Sequence, residues 1–194
     1  NIVLIVVTDP HRAGHELRYY PAEVNMRLAD VFIINKVDTA SPEAIDVIRQ
    51  SIAKVNPNAA IIEASSPIFV EDPAAIRGKR VLAIDEGPTI THDDLPYDFG
   101  YFAAKRYGAK EIVDPRPFAV GDLKATFEKF PHLGHVLPSM GYGEKQIRDL
   151  EQTIENADVD LVVIGSPIDL TRVMKINKPT QRVWYKLQEI GSPT

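Results

Sequence analysis

Cysteine is absent from the 194 residues, which excludes disulfides and thiolate metal sites within this chain and fits a reducing, cytoplasmic setting. An excess of positive charge is absent too. Lys and Arg number 22 against 27 Asp and Glu, giving a net charge of −5 and a pI near 5.5. No basic stripe can displace the counterions of a nucleic-acid backbone, so a general nucleic-acid role is excluded. No apolar run approaches the roughly 20 residues that cross a bilayer, so no membrane partner is expected. Also missing is G-x-x-x-x-G-K-[ST], the loop whose backbone N–H groups and Lys hold nucleotide phosphates. This chain is not expected to hydrolyse a nucleotide unaided.

What is present is an Asn35-Lys36-Val37-Asp38 tetrad directly after the apolar run Val31-Phe32-Ile33-Ile34. At the carboxyl end of a buried strand, such a tetrad reads guanine. The Asp38 carboxylate accepts from the N1–H and the 2-amino group of the base, a donor pair that adenine lacks at that edge. The Lys36 stem lies along the base plane, and the Asn35 amide ties the turn to its neighbours. One helix and one strand further on, Ala64-Ser65-Ser66 stands where a short loop offers backbone N–H to the guanine carbonyl oxygen. The chain opens on Asn1 inside an apolar run, Ile2 to Val7, and reads as the carboxyl-terminal portion of a longer protein. On that reading the base-recognising half of a nucleotide site is here and the phosphate loop lies upstream.

Hydrophobic content of 44% and charged content of 25% are ordinary for a globular α/β protein. Val- and Ile-rich runs predict strands over Ile2–Thr8, Val31–Asn35, Ala60–Ala64, Arg80–Asp85, Glu111–Asp114, Gly134–Pro138 and Asp160–Gly165. Helices are predicted over Pro21–Leu28, Pro42–Val55, Asp98–Tyr107, Gly121–Phe130 and Glu144–Asn156, with Ser41 capping the second. Gln181–Ile190 reads as an edge strand in preference to a packing helix, and Phe32, Phe127, Trp184 and Tyr185 are assigned to the core. The fold class is α/β, a mostly parallel sheet with helices on both faces. Residues 1–75 form the second half of a P-loop NTPase-like domain. Residues 76–194 form a further, Rossmann-like α/β unit that could continue the same sheet.

In such sheets ligands collect beyond the carboxyl ends of the strands, so the polar residues there are the candidates. After the first strand, Asp9 could hold Mg²⁺, while His11, Arg12 and His15 could neutralise phosphate oxygens. A solvated loop is the plainer alternative. After the fourth, Asp85, Glu86 and His92 keep a metal or acid–base role open beside a simple Gly-Pro turn at Gly87-Pro88. Gly141-Tyr142-Gly143 could cradle an anion or merely shape a turn. Asp169 and Arg172 are three apart; they could pair with each other, or Arg172 could hold a substrate phosphate.

Four phrases occur in order: Asp9-Pro10-His11-Arg12-Ala13-Gly14-His15-Glu16, Ala29-Asp30 leading to the tetrad, Gly87-Pro88-Thr89-Ile90-Thr91-His92, and Pro167-Ile168-Asp169-Leu170. From Val6 to about Leu187 the chain resembles the P-loop GTPases related to archaeal cyclic 2,3-diphosphoglycerate synthetase. The resemblance implies a P-loop fold, GTP or ATP with Mg²⁺, and a small phosphorylated or anionic substrate whose phosphate is activated by the nucleotide. It would set Asp9 and Asp85 on the metal side, with His11, Arg12, His92 and Arg172 positioning phosphates. Two departures stand out: Ala13 where the family pattern has Pro, and Asp93 where it has Gly. The competing expectations are a regulatory or metal-delivery GTPase and an inert structural unit. A homo-oligomer stays open.

Overall fold

Alternation of apolar residues in strands and their recurrence every third or fourth position in helices decide the architecture of the computed structural model, which describes residues 2–92, 98–139, 141 and 143–191. The chain divides into two units, residues 1–67 with 185–194, and residues 68–184. The polar stretch Glu71–Lys79 therefore lies inside the second unit, and the last residues return to the first. The division falls at residue 67, not 75, because β4 (Ile68–Val70) belongs to the second unit's sheet.

In the first unit, β1 (Ile5–Thr8), β2 (Val31–Ile34) and β3 (Ala60–Ser65) run parallel in that order, and β10 (Gln188–Ile190) adds antiparallel beyond β3. Two crossovers supply α1 (Ala22–Leu28) and α2 (Pro42–Val55). The hydroxyl of Ser41 accepts the Ala44 N–H at 3.2 Å, and Pro42 follows at the first helical position, where no N–H is needed. Ile48 and Ile52, one turn apart, bury against Met26, Ala29, Phe32 and Ile34. Each large side chain in that cluster contributes about 1.5–3 kcal/mol by leaving water. Both helices lie on this one face of the sheet.

The second unit orders its strands β4-β9-β8-β5-β6, with β7 also beside β5. Their ranges are Arg80–Glu86 for β5, Glu111–Ile112 for β6, Leu137–Ser139 for β7, Leu161–Ile164 for β8 and Thr180–Tyr185 for β9. Strand β5 is flanked by parallel partners on both sides and is buried almost throughout. Helices α3 (Gly87–His92), α5 (Gly121–Lys129) and α6 (Glu144–Asn156) pack on one face through Ile90, Phe127 and Ile154. Helix α4 (Phe99–Arg106) packs on the other through Ala103 and Ala104. The Gly87-Pro88 pair opens a helix where a tight turn was the plain expectation, because Pro fits a helix's first turn. Phe32 and Phe127 are core residues, whereas Trp184 and Tyr185 are 36% and 51% exposed and do not belong to it.

Candidate functional site

Two links join the loops at the carboxyl edge of the first unit's sheet. The Asn35 Oδ1 accepts the Ser66 hydroxyl at 2.9 Å, and the Val37 N–H donates to the Ala64 carbonyl at 3.1 Å. The tetrad turn therefore faces the Ser65–Ser66 segment, as its spacing requires. Ser65 itself is buried, its hydroxyl donating to the Gln188 carbonyl at 3.4 Å. Lys36 sits at φ +59°, a left-handed conformation that non-glycine residues adopt at a cost of about 1–3 kcal/mol. The turn is held there by the Thr39 and Ala40 N–H groups, both donating to the Lys36 carbonyl at 3.1 Å. Asp38 is exposed beside it, and no hydrogen bond engages its carboxylate among the described residues.

Lys36 does something the sequence did not reveal. Its ammonium reaches across 27 positions to donate to Asp9 Oδ2 at 2.8 Å, joining the tetrad turn to the end of β1. The His11 N–H donates to the other oxygen, Oδ1, at 3.0 Å. Partial burial works to raise the Asp9 carboxyl, but the Lys36 ammonium and the His11 amide outweigh it and hold the group below the ordinary carboxylate range. Asp9 is thus a fixed anion. The His11 ring nitrogen Nε2 lies 3.0 Å from the Thr39 hydroxyl, so a residue just past the tetrad orients this imidazole. Arg12 is half-buried with its N–H on the Asp9 carbonyl at 2.9 Å. Asp9, His11, Arg12, Asn35, Lys36, Asp38, Ser65 and Ser66 therefore share one edge of one unit.

Sequence reasoning passed over Thr39 and Glu16. Glu16 is buried, with Oε2 accepting the Gly14 N–H at 2.7 Å and Oε1 unpartnered among the described residues. The signal for Thr39 was its place one residue beyond the tetrad. For Glu16 it was the dense Asp-His-Arg-His-Glu run.

The other candidates stand in the second unit. Asp85 is fully buried at the end of β5 and accepts main-chain N–H groups from Asp98 at 2.9 Å, Gly100 at 2.6 Å and Tyr101 at 3.4 Å. It caps the start of α4. Burial pushes its carboxyl up to about 6, against the lowering effect of those three amides. Gly100 and Gly165 permit this approach, since a Cβ on either would come within 2.5 Å of Asp85 Oδ1. Such an enclosed carboxylate serves as a structural anchor better than as the metal-side group expected of it. Arg172 is 84% exposed in its side chain, with Nε 3.4 Å from Asp169 Oδ2. Arg182, from β9, meets the same oxygen at 3.4 Å, a partner the sequence did not suggest. His92 closes α3, and its side chain lies outside the described residues. Among the described residues no group of three or more His, Asp or Glu is placed to hold a metal ion. Mg²⁺ does not need one, since it keeps several waters and takes one or two carboxylates beside nucleotide phosphates. Asp9 is the carboxylate at this edge that could take such a place, although its Oδ2 accepts the Lys36 ammonium and its Oδ1 the His11 N–H. No described helix is long and apolar enough to cross a membrane.

The fold is α/β, consistent with a P-loop NTPase-like domain, and residues 2–63, which carry β1, β2 and most of β3, match the family model of the CobW/HypB/UreG nucleotide-binding domain. Over 189 residues, 97% of this chain, the sequence is 60% identical to Arginine synthetase ArcE of Thermococcus kodakarensis. The chain spans 42% of that relative's length.

Proposed function

We propose that this chain supplies the base-reading turn and the acidic metal-side residue of a nucleotide-dependent synthetase that activates a small charged substrate by phosphoryl transfer. The observation that carries the reading is the tetrad turn itself. Asp38 projects unengaged while Asn35 is tied to Ser66 and Lys36 to Asp9, so recognition and phosphate-side elements are rigidly linked. Mg²⁺ held by Asp9 would neutralise charge on the transferring phosphoryl group. His11 and Arg12 would orient phosphate oxygens, work that is mostly positioning and charge neutralisation. Arg172, exposed on the second unit, would hold an anionic group. The name of the 60% identical relative favours an amino-acid product over the cyclic phosphoanhydride that the family resemblance implied.

The match to the CobW/HypB/UreG domain favours a second reading, a GTPase acting as a binding switch or in metal delivery. The two part on turnover. A synthetase cleaves nucleotide only when its second substrate is present, whereas a switch cleaves without one. Ligand-observed NMR with GTP, ITP and ATP tests the nucleotide assignment that both share. The expected order of affinity is GTP, then ITP, which lacks the 2-amino group, then ATP. Equal signals from all three would remove the assignment.

A further inference from the structure

Lys36 closes a circuit of contacts in the first unit. Its ammonium donates to Asp9 Oδ2 at 2.8 Å, and the His11 main-chain N–H donates to Asp9 Oδ1 at 3.0 Å. The His11 ring meets the Thr39 hydroxyl, Nε2 to Oγ1 at 3.0 Å. Thr39 returns to Lys36, its N–H donating to the Lys36 carbonyl at 3.1 Å. Both ends of the ring contact are anchored. Asp9 caps the short turn Pro10–Arg12 that carries His11, and Ser41, two residues past Thr39, caps α2.

The direction of the Thr39 hydroxyl proton decides what His11 can do. Thr39 Oγ1 lies 3.2 Å from the Lys36 carbonyl and 3.0 Å from His11 Nε2, so two acceptors compete for one proton. The carbonyl has two lone pairs, and the N–H groups of Thr39 and Ala40 already reach it at 3.1 Å each. A third donor at 3.2 Å is supernumerary, and long for a hydroxyl to oxygen bond, which usually spans about 2.5–3.0 Å. Nε2 of a neutral imidazole offers a lone pair with no other donor on it among the described residues. The hydroxyl proton therefore goes to Nε2, and the ring's own proton sits on Nδ1, since the bond made by one nitrogen sets the state of the other. His11 is exposed, and no hydrogen bond engages Nδ1 among the described residues.

We propose that Thr39 is a positioning residue that fixes His11 in the Nδ1–H form, so that the ring offers a donor to a phosphate oxygen of the bound nucleotide. This rests on the nucleotide-site reading above and assigns the atom through which His11 acts. A ring so held donates to an oxyanion while neutral. Its tautomer and orientation are set by contacts within the unit before any ligand arrives, so little reorganisation opposes binding.

The test is long-range proton–nitrogen NMR of this chain in alkaline buffer, which separates a protonated ring nitrogen from a bare one. The His11 signals are those lost in His11→Gln. In wild type and Thr39→Ser the proton should sit on Nδ1. In Thr39→Ala the ring should revert to the Nε2–H form that free histidine prefers. Thr39 is exposed, so neither substitution disturbs the core. Nε2–H in wild type, or Nδ1–H retained in Thr39→Ala, would overturn the proposal. Ligand-observed NMR with GTP and guanosine supplies a second readout. Thr39→Ala should weaken GTP about three- to tenfold and leave guanosine unchanged, with Thr39→Ser restoring the GTP value. Equal weakening of both ligands, or of neither, would make Thr39 a shaper of the turn alone and would also overturn the proposal. Binding of neither ligand by wild type would remove the nucleotide reading, and the oxyanion named here with it, while the ring signature stayed in place, so the two failures are distinguishable.

Discussion

Replacing Asp85 by Asn separates the charge of a buried carboxylate from its role as a hydrogen-bond acceptor. Burial raises the group from an ordinary 3.8 to about 6. At about 1.4 kcal/mol per pK step, the charged form costs the second unit about 3 kcal/mol relative to the protonated form. The sign follows from linkage: the folded state binds this proton more tightly than the unfolded one. Stability is therefore greatest below pH 3.8 as far as this group is concerned, and is lost as pH rises through about 6. Asn removes that dependence but turns one oxygen into a donor facing main-chain N–H groups. At least one of the amides of Asp98, Gly100 and Tyr101 then lacks its acceptor, at about 1–3 kcal/mol. Wild type and Asp85→Asn should lie near parity at about pH 7.5, with wild type ahead by roughly 2–3 kcal/mol near pH 4.5. Trp184 is the chain's one tryptophan and lies in the second unit, so its fluorescence during urea unfolding reports that unit. A stability difference that does not move with pH would refute the account of Asp85 as a buried, charge-strained anchor.

Gly165→Ala should destabilise the same unit by about 1–3 kcal/mol or more, read from the same unfolding curves, because the new Cβ meets backbone of Gly100 as well as Asp85. Lys36→Met should cost about 1 kcal/mol at neutral pH, since the pair is partly exposed. That difference should vanish as pH falls through the lowered Asp9 value, because a depressed carboxyl contributes stability above its ordinary range and loses it below; urea unfolding of the first unit across pH checks it. Ser66→Ala removes the hydroxyl held by Asn35 and should weaken GTP binding by up to about tenfold in an NMR titration without altering the fold.

Local signals carried much of this architecture. A capping Ser before Pro located α2, and an apolar run followed by the tetrad located β2 and its turn. That the tetrad turn and the Ser65–Ser66 loop are neighbours was legible because both lie at strand ends one crossover apart, but the Asn35–Ser66 bond itself was not. The Lys36–Asp9 ion pair was not, since it depends on β1 and β2 being neighbours and on the left-handed backbone at Lys36. Asp85 misled for the same reason. Its partners lie 13 to 16 positions away at the start of a helix, so a residue that looked like a metal-side acid is an enclosed cap. The Gly87-Pro88 pair carries two conflicting local signals, and packing of Ile90 in the core goes with the helix. The short Ile68–Val70 strand has too few residues to announce itself by alternation.

Base selectivity at Asp38 is the claim on which the functional reading turns. Asn at this position offers an amide where the carboxylate offered acceptors, so it disfavours the 2-amino group of guanine and favours the 2-oxo group of xanthine. The direct measurement is an NMR titration of wild type and Asp38→Asn with GTP, XTP and ATP. Wild type should prefer GTP and the variant XTP, with ATP poor for both. Unchanged preference in the variant would contradict it.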